Sequence, residues 1–349
     1  MRSFHLALLL SCITLLLCIS CSQNIEDFNF NKELCLSGGD TLVYDIPTTG
    51  TCFIDIKDSL LVIQMVNTLD KKHIYFYKKD NGELVQSFGE IGNGPGEFHK
   101  SFNLALDNRK QALIYTDPYK CVHYNIDSIL NGNSSYSLQE FNINNYGSKP
   151  IHLKDSLFIT YPRGKRYAIV NLYNKDTLFS YDHFEHKSPL DAGNDKSHSF
   201  LYYRYCNIDR LNPQKDKLVS LSCCGLVMEI FDIENGALKR SFAKEYIEPR
   251  YAMKSTIEPE EGIAGVAYYA YTTHKYIYGA WSESTANIPP TQIAVFDWNG
   301  FPVMKLTFEN NETKEVFAVD EENKRLYAVV KNSKGELNIV RYDMSQLPL

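Results

Sequence analysis

The chain contains one glycine-rich stretch whose composition could serve phosphate chemistry, "SFGEIGNGPGEFHK" from Ser87 to Lys100. A phosphate-binding loop needs Gly-x-x-x-x-Gly-Lys-Ser/Thr or Gly-x-Gly-x-x-Gly between a strand and a helix, and neither spacing occurs here. Pro95 also lacks the backbone N–H that a phosphate cradle would use. The stretch therefore predicts a tight corner, hereafter the glycine corner (89–98), in which glycines supply positive φ values and an aromatic fills a gap. The residues assigned to this corner are Gly92, Gly94, Pro95, Gly96 and Phe98.

Three aspartates could do metal chemistry. Asp107, Asp209 and Asp320 each follow a short apolar run, and their carboxylates are the hard oxygen ligands that a divalent cation such as calcium prefers. Such a site would support a metal-assisted hydrolase or lactonase. Turn-forming aspartates also recur at such positions for structural reasons. Because the chain has no Gly-x-Ser-x-Gly and no His-Glu-x-x-His motif, catalysis stays the alternative hypothesis, and no other cofactor is predicted.

Arginine and tyrosine side chains between the apolar runs could bind a ligand. Arginine recognises carboxylates and phosphates through its fork of donors, and tyrosine offers a flat amphipathic surface to sugars or proteins. Each of these side chains could equally be a solvated charge or a packing aromatic. The binding-face candidates are Glu97, His99, Asp117, Tyr119, Arg163, Arg166, Tyr203 and Arg204.

Charge and composition limit the class of partner. The formal net charge is −6, and no lysine or arginine cluster forms the basic stripe that binding to a phosphate backbone needs. Nucleic acid is therefore not expected as a partner. Tyrosine, phenylalanine and β-branched residues recur in short runs, which favours strands over helices.

The elements that carry these residues repeat along the chain. Three copies of one unit run from His73 to Phe88, from Val227 to Phe242 and from Gln292 to Phe308. Each has an alternating strand, an Asp/Asn-Gly turn and a second strand ending in phenylalanine, the pattern of a β-hairpin. Two further strands precede each hairpin, and the unit recurs about six times at roughly 45 to 65 residues. Four-stranded units at this spacing predict an all-β, six-bladed β-propeller.

The ends of the ring can also be assigned. A lone strand from Thr41 to Ile46 precedes the first unit, and the last unit supplies only three strands before the chain ends. We expect this lone strand to complete the last blade, because closure removes exposed sheet edges. The predicted propeller domain spans 41–349. Irregular insertions, Asp182 to Tyr205 and Phe242 to Gly262, lengthen one face, where a partner would be selected.

The N-terminus predicts export. Arg2 precedes an apolar run from Leu6 to Leu17, which is shorter than the roughly 20 residues that a spanning helix needs. The junction "LCISCSQN" resembles a bacterial lipobox, with Cys21 as the lipidated residue, although Cys18 replaces the usual leucine. Residues 1–20 are thus a predicted lipoprotein signal peptide and 21–40 an anchor and linker. Plain secretion is the alternative.

A family resemblance joins these features. The corner residues Gly92, Gly94, Pro95, Gly96, Glu97 and Phe98, after a strand ending in Phe-Gly and behind a lipobox, resemble the TolB-like six-bladed β-propeller lipoproteins of Gram-negative bacteria, which are similar to NHL-repeat propellers. The resemblance implies this fold and a lipid anchor at the outer membrane, and it implies no reaction. It predicts a binding or scaffolding module whose partner is an envelope protein, a small ligand or a glycan.

A short motif also predicts modification. Asp-Ser followed by an apolar residue occurs at Ser59 and Ser156 and resembles the acceptor for O-glycosylation in some exported bacterial proteins. The same pattern is an ordinary exit from a turn. Both interpretations stay open, and glycosylation would require that the serine be exposed.

Overall fold

The backbone forms a ring of six antiparallel sheets. The computed structural model describes residues 30, 32–46, 48–90, 92, 97–98, 103–107, 112–116, 119–133, 137–142, 150–162, 165–181, 207–222, 225–248, 251–253, 257–259, 264–282, 291–309 and 313–346. Each blade contains four antiparallel strands, which are consecutive except in the last blade, where three consecutive strands are joined by one from the N-terminus; a further N-terminal strand is added to the sheet of the fifth blade. The predicted all-β, six-bladed β-propeller is therefore confirmed.

The strands are assigned to blades in chain order. Before the first blade lie β1 (Glu33–Leu36) and β2 (Asp40–Val43). The blades are blade 1, β3 (Gly50–Lys57), β4 (Leu60–Val66), β5 (Lys72–Lys78) and β6 (Leu84–Glu90); blade 2, β7 (Asn103–Asp107), β8 (Ala112–Thr116), β9 (Lys120–Asn125) and β10 (Ser137–Asn142); blade 3, β11 (Ile151–Lys154), β12 (Leu157–Thr160), β13 (Tyr167–Asn171) and β14 (Asp176–Tyr181); blade 4, β15 (Asn207–Leu211), β16 (Lys217–Ser222), β17 (Leu226–Glu234) and β18 (Ala237–Ile247); blade 5, β21 (Gly265–Thr272), β22 (Tyr276–Ser282), β23 (Gln292–Asp297) and β24 (Pro302–Phe308); and blade 6, β25 (Thr313–Asp320), β26 (Arg325–Lys331) and β27 (Leu337–Asp343).

Two small elements lie outside the blade pattern. Helix α1 (Ile126–Leu130) follows β9, and the Asn125 side chain caps it by accepting a hydrogen bond from the Ser128 backbone N–H at 2.7 Å. The hairpin of β19 (Tyr251–Met253) and β20 (Ile257–Pro259) lies in the second predicted insertion. Among the described residues, no helix is long and apolar enough to cross a membrane.

Local turn chemistry explains the hairpins that the sequence predicted. Between β17 and β18, Asn235 and Gly236 have φ values of 51° and 77°. Two successive positive φ values define a type I′ turn, whose twist matches that of the two strands. In blade 5, the Asp297 carboxylate accepts hydrogen bonds from the backbone N–H groups of Asn299 and Phe301 at 2.9 Å each. These turns therefore fix the register of the hairpins in blades 4 and 5.

The core lies between the blades. Alternate side chains of each strand face the preceding or the following blade. In blade 1, Val62 and Phe76 pack against Leu113 and Tyr115 of blade 2, while Ile63 on the other face belongs to a cluster shared with blades 5 and 6. Because each sheet is covered on both faces, its middle strands are almost continuously apolar and buried.

The N-terminal segment closes the ring. Strand β2 pairs antiparallel with β27 and becomes the fourth strand of blade 6, as predicted, although it spans Asp40–Val43 rather than starting at Thr41. Strand β1 pairs in parallel with β24 and adds a fifth strand to blade 5, from Glu33 beside Lys305 to Leu36 beside Phe308. Sequence analysis did not predict this strand. One segment thus ties two successive blades together.

Candidate functional site

The topology sorts the turns into two faces of the ring. Each blade has four strands that alternate in direction, so its first strand begins and its fourth strand ends at the same face. This face, hereafter the crossing face, carries the connections between blades and the turns between second and third strands. The opposite face carries the turns between first and second strands and between third and fourth strands. The first strands line the axis.

The glycine corner lies at the crossing face between blades 1 and 2. The ring of Phe98 is fully buried and contacts the rings of Phe88, Tyr115 and Tyr124, at centroid distances of 5.4, 4.3 and 5.6 Å. Its backbone N–H donates to the Glu90 carbonyl at 2.7 Å. The structure thus places an aromatic plug between two blades.

Two glycines of the corner permit close approach. A Cβ on Gly89, whose φ is 81°, would lie 2.9 Å from the Phe98 ring, and a Cβ on Gly92 would overlap the Glu97 carboxylate. Glycine therefore lets the chain turn against Phe98 and lets Glu97 fold back over the corner. Both close contacts shape the corner itself, which is the structural role that the sequence predicted for this stretch. The binding role of Glu97 stays a prediction.

Two exposed side chains, Leu69 and Tyr119, lie on turns of blades 1 and 2. Tyr119, a predicted binding-face residue, lies in the turn between β8 and β9 and is 58% exposed, and Leu69, in the turn between β4 and β5, is 88% exposed. Both turns belong to the crossing face of neighbouring blades. Sequence analysis missed Leu69, although an apolar residue inside the polar stretch "NTLDKK" was a visible signal.

Arg166, another predicted binding-face residue, lies inside the seam between blades 3 and 4. Its side chain is 5% exposed and pairs with the Glu229 carboxylate, and it also donates to the Ser220 hydroxyl at 3.3 Å. Arg240 reaches the same Glu229 at 3.4 Å. Burial alone would lower the pKa of Arg166, but the Tyr167 ring and Glu229 beside it raise that pKa overall. In this position Arg166 joins two blades.

Other predicted site residues lie outside the described residues. These are Cys21, Gly94, Pro95, Gly96, His99, Asp117, Arg163, Tyr203 and Arg204. Their roles stay predictions. Of the two serines with the glycosylation pattern, Ser59 is exposed in the turn between β3 and β4, whereas Ser156 is half-buried and donates to the Asn171 side chain at 2.7 Å.

Five polar residues of the first strands, together with Tyr161, which follows the second strand of blade 3, form a polar cluster near the axis, hereafter the axial cluster. Its members come from blades 1, 3, 4 and 5, and they are Asp55, Tyr161, Asp209, Arg210, Tyr269 and Tyr271. Tyr271 of blade 5 donates to Asp55 of blade 1 at 2.8 Å, and Tyr269 donates to the Ile54 carbonyl at 3.1 Å. Both hydrogen bonds join blades that are not neighbours, because blade 6 lies between blades 5 and 1 in the ring.

Blade 4 supplies the charges on the other side of the bore. The Asp209 carboxylate accepts from the hydroxyls of Tyr161 and Tyr167 of blade 3, at 2.8 and 3.0 Å. Arg210 points the other way, with its guanidinium 5.6 Å from the centre of the Tyr269 ring. Its Nε donates to the Ala270 carbonyl at 2.9 Å and its Nη1 to the Asp209 carbonyl at 3.0 Å. Asp209 and Arg210 are successive residues of β15, so their side chains point to opposite faces of the sheet, toward blade 3 and blade 5 respectively.

Burial changes the acidity of the axial carboxyl groups. Desolvation raises the pKa of Asp55 from 3.8 to about 6, although hydrogen bonds from Ile56 and Tyr271 and the charge of Arg210 oppose the change. Burial likewise raises the pKa of Asp209, against hydrogen bonds from Ser220 and Tyr161 and the charge of Arg166. Both carboxylates therefore lie where a negative charge is poorly solvated.

The carboxylates that the metal hypothesis singled out have separate partners. Asp320 pairs with Lys79 at 2.7 Å, and Asp107 lies 3.4 Å from Lys215, whose ammonium group is 3.1 Å from the His152 ring. Burial, followed by the charges of Lys215 and His123, lowers the pKa of His152 to about 3. Within the described ranges, no three histidine, cysteine, aspartate or glutamate side chains are grouped to hold a metal ion. The hydrolase alternative stays untested.

The axial cluster was largely missed by sequence reasoning. Only Asp209 was named, as a metal ligand, whereas Asp55, Arg210, Tyr269 and Tyr271 were not considered. A weak signal existed, because polar side chains interrupt the apolar alternation of three first strands, in "FIDIK", "NIDRL" and "YYAYT".

Comparisons with known proteins support the fold. No family model matches the chain, and no curated protein matches it. A solved structure of a DUF4221 family member from Bacteroides vulgatus is 14% identical, with a TM-score of 0.55, and the match covers 89% of this chain and 94% of that chain. A protein of Bacteroides fragilis described as exported is 13% identical, with a TM-score of 0.52, over 88% and 93% of the two chains. At these identities the likeness extends to the fold alone.

Proposed function

We propose that this protein is an exported binding module, anchored to the outer membrane by a lipid on Cys21, whose crossing face at blades 1 and 2 contacts an envelope protein. The observation that carries the proposal is the pair of exposed side chains Leu69 and Tyr119 on the crossing face of neighbouring blades. The signal sequence, the lipobox resemblance and the likeness to an exported Bacteroides protein support the location. Within this proposal the chain is a distant member of the TolB-like lipoproteins.

The turn that carries Leu69 is held in one conformation. Asn67 and Lys71 on its two sides have φ values of 52° and 61°, and the Thr68 hydroxyl donates to the Lys72 carbonyl. The Tyr75 hydroxyl donates to the Asp70 carboxylate, and the pKa of that carboxyl is lowered, since its hydrogen bonds outweigh the effect of burial. An apolar side chain on a preorganised turn binds with little further loss of backbone freedom, which favours a role as an anchor in an interface.

The anchor is tested by metabolic labelling with palmitate in a Gram-negative host. We expect the wild-type protein to carry label and to sediment with the outer membrane. Cys21→Ala should lose the label and appear in the soluble fraction. Equal labelling of both forms would remove the anchor from the proposal.

The contact surface is tested by photo-crosslinking from single positions in the anchored protein. A photo-reactive phenylalanine at position 69 or 119 should give one discrete crosslinked partner. The matched controls are Tyr173 and Phe301, which are 80% and 62% exposed on turns of the opposite face and should give none. Crosslinks of equal yield from both faces, or none from a correctly located protein, would contradict the proposed surface.

A further inference from the structure

Arg210 has hydrogen-bonding capacity left over in the bore. A guanidinium carries five N–H donors. Among the described residues, one donor on Nε and one on Nη1 bind the carbonyls of Ala270 and Asp209, and the Tyr269 ring covers one face. These two bonds fix the plane of the group. The remaining N–H groups of Nη1 and Nη2 form the end-on fork that binds a carboxylate through two parallel hydrogen bonds.

Asp55 has acceptor capacity left over across the bore. Its Oδ1 accepts from the Tyr271 hydroxyl and from the Ile56 backbone N–H, each at 2.8 Å. These bonds fix the orientation of the carboxylate and leave Oδ2 without a hydrogen bond from the residues that the structure describes. A carboxylate held in this way can accept from an ammonium group.

The two charges are close but do not meet. The Tyr269 ring lies 5.6 Å from the Arg210 guanidinium, and its hydroxyl donates to the Ile54 carbonyl next to Asp55, while Tyr271 donates to Asp55 itself. Among the described residues, no ion pair within 4.0 Å joins Arg210 and Asp55. Both side chains are half-buried. The bore therefore presents a donor fork and an acceptor, of opposite charge, across a gap.

We propose that this gap binds a small zwitterion, with its carboxylate on Arg210 and its ammonium group on Asp55, which is the chemistry of a free amino acid. A ligand with only an anionic group would leave Asp55 poorly solvated, and a ligand with only a cationic group would leave the fork of Arg210 empty. A zwitterion satisfies both and adds no net charge to a buried site. Tyr269 and Tyr271, tied to blade 1, form a rigid wall beside it.

The test is isothermal titration calorimetry of the folded protein with defined probes. The probes are the twenty common amino acids, β-alanine and 4-aminobutyrate, which vary the spacing of the charges, with acetate and methylamine as single-charge controls. At least one zwitterion should bind at least tenfold more tightly than acetate and methylamine. Failure of every zwitterion to bind the wild-type protein at about 10 mM, a free energy near −3 kcal/mol, would overturn the proposal, as would equal binding of acetate.

Variants locate the site. Arg210→Gln and Asp55→Asn should each weaken the best probe at least tenfold, and Arg210→Lys should restore only part of the affinity because it keeps the charge and loses the fork. The matched control is Arg341→Gln, since Arg341 pairs with Asp40 on the outer edge of blade 6 and should leave binding unchanged. Unaltered binding by both axial variants would place the ligand elsewhere and overturn the assignment. This site does not depend on the partner surface at Leu69 and Tyr119, so either proposal can fail alone.

Discussion

At the scale of single residues, burial controls the charge of the axial carboxyl groups. Asp55 is hydrogen-bonded and lies near Arg210, yet desolvation outweighs both effects, so its pKa is about 6 rather than 3.8. The charged form is thus disfavoured in the folded protein. A group of this kind stabilises the fold fully below its unfolded pKa, and that stabilisation is lost as the pH rises through the folded pKa.

The first prediction concerns this pH dependence. Asp55→Asn should gain stability relative to the wild type as the pH rises from 4 to 7.5, by at most about 3 kcal/mol, because one pKa unit corresponds to about 1.4 kcal/mol. Urea unfolding at a series of pH values measures the difference. A difference that is constant with pH would show that Asp55 titrates normally. Arg210→Gln should raise the pKa of Asp55 further, since the guanidinium lowers it.

The second prediction concerns the buried pair Arg166 and Glu229. Arg166→Met should lower the free energy of unfolding by about 3 to 5 kcal/mol, because it leaves the Glu229 carboxylate without its nearest positive charge inside the seam between blades 3 and 4. The double variant Arg166→Met with Glu229→Leu should recover most of this loss, since neither charge then has to be desolvated. Chemical unfolding of the single and double variants gives the coupling. Additive losses would show that the two side chains act independently.

At the scale of elements, the sequence predicted what depends on local chemistry. The hairpin β17–β18 was visible because Asn235 and Gly236 favour a type I′ turn between alternating strands. Strand β1 was missed because four residues pair in parallel with β24, about 270 positions away, and no local signal marks such a partner. The hydrogen bond from Tyr271 to Asp55 was missed for a related reason, because it joins two blades that are far apart in the sequence and come together only when the ring closes.

The third prediction concerns the contact between blade 1 and the closing strand. Gly82, with φ of 72°, turns its α-carbon against the backbone of Leu42 in β2, where a Cβ would overlap the carbonyl group. Gly132 has a similar φ of 67° but nothing within 4 Å. Gly132→Ala should therefore lower the free energy of unfolding by only about 1 kcal/mol, the cost of holding an alanine in the left-handed conformation. Gly82→Ala should lower it by at least twice as much. Thermal unfolding compares the two variants. Equal losses would show that β2 yields freely at this contact.

At the scale of the whole molecule, one N-terminal segment satisfies two sheet edges. Without β2 the outer edge of β27 in blade 6 would be exposed, and without β1 the same would hold for β24 in blade 5. Exposed edges carry unpaired N–H and C=O groups that pair with other chains. Closure should therefore decide whether the protein is monomeric as well as how stable it is.

The last prediction tests closure with three truncated chains, which begin at Lys32, Asp40 and Ile46. The first keeps both closing strands, the second only β2, and the third neither. All three lack Phe30, whose ring packs against Trp281 at 5.6 Å, so loss of that contact does not distinguish them. We expect a monomer, a less stable monomer and an aggregating chain, in that order, by light scattering after size exclusion and by urea unfolding. If the chain that begins at Ile46 stayed monomeric with an unchanged urea midpoint, the inner seams alone would hold the ring, and β1 and β2 would only position the anchor.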